Sequence, residues 1–355
     1  MLTHKFKFLL ATILMSANAY AQSELLNNPL RPRISEVLDY HEGYQPEQRV
    51  PLSGDRLNYG HFRNAIMDGA PQFIAKLEKA YPGATYAFMG RDTQVISDVV
   101  EAFYLSIGQQ NRVVQIGASK TTFQGLSDQD TVEYLKYFGL DLDKVDESKP
   151  FILVDTISSG EVIDGVLISG RQGRHLLQVL YQEWINRGRN PVDLLNKVNM
   201  VGMQVSTFKT GEIGNTERYM DVTRIGNIEE INRANAFKFF RQQTTSRMGL
   251  DFVLPLIPDT QMVFNESGYD HYTGAWHDRF QPPLRTEEGM VPNPGPLTHE
   301  LYRKSILWLQ HQVIDIVGDV NFHRRVEQEV IRSNVGHFPV TRTDYRMYSC
   351  KKLLL

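Results

Sequence analysis

The sequence predicts an α/β fold: a three-layer arrangement with a mostly parallel sheet and flanking helices, extended by helical and irregular C-terminal additions. Three observations predict it. Short runs of β-branched and apolar residues alternate with longer stretches whose apolar residues recur every three or four positions, the order expected of strands joined by crossover helices. The run Phe151-Ile152-Leu153-Val154 is apolar without alternation, as a strand covered on both faces must be. Three of the strand-like runs give way at once to small, charged or hydroxyl-bearing residues, the composition of strand-to-helix turns. Composition narrows the class further. A hydrophobic share of 41% with a formal net charge of −3 is incompatible with a disordered chain and leaves no basic footprint for nucleic acid. A single cysteine, Cys350, excludes an internal disulfide framework and any zinc site built on cysteines.

Taken in order, residues 1–21 carry the three zones of a signal peptide: a basic start (His4, Lys5, Lys7), an apolar run from Phe8 to Met15 and the small-residue patterns Ala17-Asn18-Ala19 and Ala19-Tyr20-Ala21. The apolar run is shorter than the ~20 residues a bilayer span needs, and no later segment is long and apolar enough to cross a membrane. The expectation is a soluble, exported protein, periplasmic or secreted. Residues 22–60 are polar and turn-rich and read as an irregular arm. Residues 61–226 read as the α/β core. Within it, helical spacing runs from Phe62 to Leu77, followed by a strand at Thr85–Met89, a helix at Val95–Ile107, a strand at Arg112–Ile116, a helix at Thr131–Phe138, the strand at 151–154, a helix at Leu176–Trp184 and a strand at Val198–Val205. Residues 227–355 read as a helical and loop-rich region packed on the core: helix-like at 227–254, irregular and proline-rich at 255–297, an amphipathic helix at Leu301–Val317, then a polar stretch.

In an open parallel sheet, ligands sit beyond the carboxyl ends of the strands. Three such ends are legible: Gly90-Arg91-Asp92-Thr93, Gly117-Ala118-Ser119-Lys120 and Asp155 through Gly160. Small residues let backbone N–H groups approach an anion, and a following helix adds its positive end. Asp155 directly follows the apolar run, so it stands at the lip of the sheet, where a carboxylate can accept hydrogen bonds from sugar hydroxyls or hold a divalent cation through water. Ser158, Ser159 and Gly160 form a hydroxyl-rich turn able to wrap a phosphate. Arg91 suits a phosphate, Asp92 a metal or a hydroxyl, and Lys120 an anion. Each residue also has a structural reading: Asp155 and the serines as helix N-caps, Arg91 and Asp92 as an ion pair or cap, Lys120 as a solvated lysine.

The pattern from Phe151 to Gly160 resembles the phosphoribosyl-diphosphate loop of type I phosphoribosyltransferases, and is nearer to the divergent members with Asp-Thr-x-x-x-Gly than to the nucleotide-salvage enzymes. The likeness covers roughly residues 84–207. It implies a phosphoribosyltransferase-like fold and a glycosyl transfer. Asp155 would contact the ribose hydroxyls, and the Ser158–Gly160 turn the 5′-phosphate. Arg91 and Asp92 would lie near the diphosphate and its Mg²⁺. Thr156, Ser119 and Lys120 complete the set of ligand-binding candidates. Two departures matter. The family's second consecutive acid is replaced by Thr156, and Glu161 brings a carboxylate to a place beside the phosphate. They favour an alternative: an exported binding or interaction protein that keeps the fold without catalysis.

A second cluster lies in the irregular stretch. Asp270, His271, His277 and Asp278 surround aromatic residues and suit a divalent ion, which opens a third reading, a metal-assisted secreted hydrolase using His271 and His277. A turn-rich surface loop accounts for the same residues. Neither a nucleophile elbow, a Walker-type phosphate loop, a dinucleotide-binding glycine motif nor a zincin motif occurs.

Overall fold

The computed structural model describes residues 31–41, 56–90, 93–117, 126–145, 149–157, 176–190, 193–194, 197–205, 269–270, 275–276, 283–293 and 300–335. The predicted signal peptide and the helix-like stretch at 227–254 lie outside them.

The sheet forms from four parallel strands: β1 (Thr85–Met89), β2 (Val113–Ile116), β3 (Phe151–Ile157) and β4 (Val198–Val205), in the order β2-β1-β3-β4. Their apolar residues split by parity. Tyr86, Phe88, Ile152 and Val154 enter one core, whereas Ala87, Met89, Phe151 and Leu153 enter the other. Both faces are therefore covered, which is why these strands read as unbroken apolar runs. The α/β class and the strand positions agree with the sequence reading.

Helices α1 (Ile34–His41), α2 (Arg56–Ala80), α3 (Gln94–Ser106), α6 (Glu300–Val317) and α7 (Val320–Arg332) supply apolar residues to the first core. Helices α4 (Asp128–Tyr137) and α5 (Leu176–Asn186) supply the second. This division comes from the strand order. The β1–α3–β2 crossover steps one way across the sheet. The crossovers through α4 and α5 step the other way. Reversing the direction keeps one handedness only if the helix changes face, and it does.

Local chemistry sets the helix ends. Ser127 caps α4 by accepting from the Asp130 N–H at 3.1 Å, and the Asp130 carboxylate returns the contact to the Ser127 N–H. Asp319 caps α7, accepting from the Asn321 N–H at 2.9 Å, and pairs with Arg63 of α2 at 2.6 Å. Helix α2 contains Pro71. A proline has no N–H, so the carbonyl four residues earlier loses its helical donor. That carbonyl belongs to Met67, and Arg325 of α7 donates to it at 3.1 Å.

Three stretches differ from the sequence reading. The arm read as irregular carries α1, whose Ile34 and Val37 are buried against α3 and α6. The polar stretch after 317 carries α7, with Phe322, Val326 and Val330 buried along one face. The proline-rich stretch holds two short antiparallel hairpins, β5–β6 (Tyr269–Asp270 with Ala275–Trp276) and β7–β8 (Leu284–Thr286 with Gly289–Val291). Met290 of β8 is buried in the second core.

At the amino ends of β1 and β2 lies a buried charge cluster. The Glu78 carboxylate pairs with the Arg112 guanidinium, both side chains being at most 5% exposed. Glu78 also accepts from the Tyr104 hydroxyl at 2.5 Å and the Tyr86 hydroxyl at 3.2 Å, while Arg112 Nε donates to the Ala84 carbonyl at 2.6 Å. The Arg112 guanidinium lies 4.4 Å from the centroid of the Tyr104 ring. Burial pushes both tyrosine hydroxyls well above their ordinary titration range, so they remain donors. Removing one member of a buried pair strands the other charge. Arg112→Ala is expected to cost about 3–5 kcal/mol of stability, measured by urea unfolding.

His41 of α1 meets His311 of α6, their Nδ1 atoms 2.8 Å apart, while His41 Nε2 lies 3.0 Å from an Asp315 carboxylate oxygen. Burial, reinforced by His41, lowers the His311 pKa from 6.5 to about 3. The unfolded chain therefore takes up a proton at His311 below pH 6.5 that the folded chain refuses until about pH 3. Stability from this residue is full above pH 6.5 and falls as the pH is lowered through that window. Urea midpoints of the wild type and His311→Leu at pH 7 and pH 5 check this: the drop between the two pH values should be smaller in the variant.

Candidate functional site

Strand β1 sits inside the sheet, with β2 on one side and β3 on the other. The chain steps outward from β1 to β2 and then crosses back over β1 to β3, so the crossovers leaving the neighbouring strands β1 and β3 part to opposite faces, the position at which open α/β sheets bind ligands. The register Phe88↔Val154 puts Met89, the last residue of β1, level with Asp155. Gly90 comes next with φ 71°, in the left-handed region that a side chain disfavours, and its N–H donates to the Ile116 carbonyl at 3.1 Å. Thr93, fully buried, donates its hydroxyl to the Met89 and Gly90 carbonyls at 2.8 and 3.2 Å. Thr93 stands at the N-cap of α3, but its side chain, turned to these carbonyls, accepts no hydrogen bond from the helix N–H groups.

Strand β3 continues through Asp155, Thr156 and Ile157, where the sequence reading ended it at Val154. Its register with β4 slips between Asp155, paired with Gly202, and Thr156, paired with Gln204. A bulge of this kind bends the strand end and re-aims the residues beyond it. Asp155 is thus a strand residue at the level where β1 stops, and Thr156 lies one step beyond. Arg91, Asp92, Ser119, Lys120, Ser158, Ser159, Gly160, His271 and His277 lie outside the described residues. Among the described residues no group of three or more His, Cys, Asp or Glu side chains is placed to hold a metal ion, and no helix is long and apolar enough to cross a membrane.

A second feature was not legible in the sequence. A cleft of about 280 Å³ runs along the free edge of β2, bounded by the start of α3, the end of α4 and the chain entering α1. Arg31, Gln94, Glu101, Gln115, Tyr137 and Phe138 are among its walls. Two ion pairs build the side nearest α1. Arg31 pairs with Asp98 and donates to the Gln115 side-chain oxygen at 2.7 Å. Arg33 donates to Glu101 at 3.0 and 3.1 Å, and Glu101 also accepts from the Ile34 N–H at 3.2 Å. Gln310 of α6 closes the corner, donating to the Pro32 carbonyl at 2.7 Å. On the opposite side Tyr134 anchors the end of β2 by donating to the Gly117 carbonyl at 2.6 Å. Burial raises the pKa values of the Asp98 and Glu101 carboxyls, opposed by Arg31 and Arg33 respectively. None of these residues forms a sequence motif. Gln94 and Gln115 are ordinary helix and strand residues until the fold brings them together.

No protein family, curated protein or solved structure matches the chain.

The paired charges give a pH-dependent test. Arg31→Leu leaves Asp98 buried without its partner, an expected cost of about 3–5 kcal/mol at pH 7. Because burial already raises the Asp98 pKa, protonation relieves the unpaired charge as the pH falls, so the cost should be smaller at pH 5. Denaturant unfolding at the two values measures it. An equal cost at both would mean that Asp98 does not carry the unpaired charge.

Proposed function

We propose that the chain is an exported phosphoribosyltransferase-like protein that binds a phosphorylated sugar or nucleotide-like ligand beyond the carboxyl ends of its strands. The observation that carries this reading is the backbone position of Asp155 in β3, level with Met89, the last residue of β1, where these neighbouring strands send their crossovers to opposite faces of the sheet. A carboxylate there suits ribose hydroxyls. The uncapped amino end of α3, beside the Gly90 turn, suits phosphate.

In this reading Asp155 orients the ribose hydroxyls and the Ser158–Gly160 turn holds the 5′-phosphate, with Thr156, Ser119 and Lys120 as further contacts. Arg91 lies near the diphosphate, where a cation stabilises the charge that grows on the leaving group. The oxygen donors of Asp92 and Asp155 suit Mg²⁺, which would neutralise diphosphate charge. A second reading, a binding protein of the same fold without catalysis, draws support from Thr156 in place of a second acid and from Glu161 beside the phosphate turn.

Calorimetric titration of phosphoribosyl diphosphate with Mg²⁺ separates the two. The first reading expects binding to the wild type and its loss in Asp155→Asn, with the Tm nearly unchanged. No heat at millimolar ligand favours the second. A large fall in Tm with binding retained makes Asp155 a structural residue.

A further inference from the structure

We propose that the groove between α2 and α7 is a binding site for a phosphate group, carried by a phosphomonoester or present as the inorganic ion. The groove shares no residue with the strand-end site, and the proposal does not depend on the phosphoribosyltransferase-like reading. Its volume is about 370 Å³, within the roughly 300–1,000 Å³ of small-ligand pockets. Arg63 and Asn64 of α2 line one wall, and Asn321, Arg324, Arg325 and Gln328 of α7 line the other. The four α7 residues stand at i, i+3, i+4 and i+7, so they form one stripe beside the row of Phe322, Val326 and Val330 that enters the core. Solvent reaches both walls: the Arg63 and Arg325 side chains are 43% and 46% exposed, and Asn64, Asn321, Arg324 and Gln328 are exposed.

The fold holds two of the three guanidiniums in place. Arg63 donates to Asp319 at 2.6 Å, and Asp319 is itself held as the cap of α7 by the Asn321 N–H at 2.9 Å. Arg325 donates to the Met67 carbonyl at 3.1 Å and pairs with Asp68. Each anchor engages a single guanidinium nitrogen. The remaining nitrogens, Nε and Nη1 of Arg63 and Nε and Nη2 of Arg325, make no hydrogen bond within the described structure. Arg324 makes none at all there.

Charge and donor count define the ligand. Asp319 offsets Arg63 and Asp68 offsets Arg325, which leaves the Arg324 guanidinium as surplus positive charge. Asp319 is the one carboxylate among the described residues that line the groove, and it already accepts from Arg63 and Asn321. N–H donors therefore exceed acceptors beside a surplus cation, and an oxyanion meets both conditions. A carboxylate's two oxygens suit one guanidinium fork. A phosphate group carries three acceptor oxygens on one centre, enough to meet guanidiniums from both walls.

The test is calorimetric titration of the full chain with inorganic phosphate and glycerol 3-phosphate, with acetate as the carboxylate control. Ionic strength is held constant with NaCl, because exposed charges are screened by salt. At least one phosphate is expected to bind with Kd of about 1 mM or tighter, and acetate more weakly. Arg324→Gln should weaken phosphate binding by about tenfold or more. Its Tm should stay within about 2 °C of the wild type, since no partner is lost. Should that variant not fold, Gln328→Glu is expected to weaken binding and Gln328→Lys to strengthen it, opposite shifts that a structural role for Gln328 does not produce. Lys144→Gln, outside the groove, should leave the affinity unchanged. Asp155→Asn should do the same, so failure here and failure of the strand-end reading remain distinct. Sedimentation with phosphatidylcholine vesicles, with and without phosphatidic acid, identifies the source of the phosphate. Sedimentation that requires phosphatidic acid and is lost in Arg324→Gln assigns it to a lipid headgroup; binding in solution without sedimentation assigns it to a free molecule. No phosphate binding at about 10 mM, acetate bound as tightly, or affinity unchanged in the folded groove variants would overturn the proposal.

Discussion

The parallel ladder on both sides of β1 is the constraint on which the rest of the fold depends. With β2 on one side and β3 on the other, β1 cannot complete its hydrogen bonding from neighbours adjacent in sequence on both edges. The chain must pass back over it, and a constant crossover handedness then sends α3 to one face and α4 and α5 to the other. The two-sided cover, the two separate cores and the parting of the crossovers beyond β1 and β3 all descend from that single reversal.

The base of the sheet and the edge of β2 treat buried polarity differently. At the amino end, Glu78, Arg112, Tyr86 and Tyr104 satisfy one another within a network that also reaches the Ala84 and Tyr81 carbonyls. Such a closed network rigidifies the base of the sheet and leaves little for a ligand to gain. Around the cleft along the edge of β2, Arg31, Gln94 and Gln115 keep buried atoms without partners despite the neighbouring ion pairs.

Much of the sheet was legible in the sequence because its strands are buried on both faces and announce themselves as apolar runs. Thr85–Met89 and Val198–Val205 fall where the composition put them. The apolar run before Asp155 was legible for the same reason, but the charge that ends the run does not end the strand, which continues to Ile157. The order of the strands was not, because crossover helices of similar length connect neighbours and non-neighbours alike. Helix α1 escaped because eight residues carry little helical signal of their own, and only α3 and α6 make the conformation worthwhile. Helix α7 escaped because its buried stripe is a single row, Phe322, Val326 and Val330, within a heavily charged segment. The cleft escaped altogether, since glutamines carry no pattern and its walls come from segments as far apart as Arg31–Arg33 and Pro292–Asn293.

Pro71 and Arg325 show how one helix can supply what another lacks. The proline leaves the Met67 carbonyl without its own helix's donor, and the guanidinium from α7 stands in. The two positions are therefore tied in their tolerance of change. An alanine at 71 would restore the native donor and free Arg325 to vary, whereas losing Arg325 first exposes the defect. Drift at this helical contact thus has a favoured sequence of steps, with the ring replaced before the cation is surrendered.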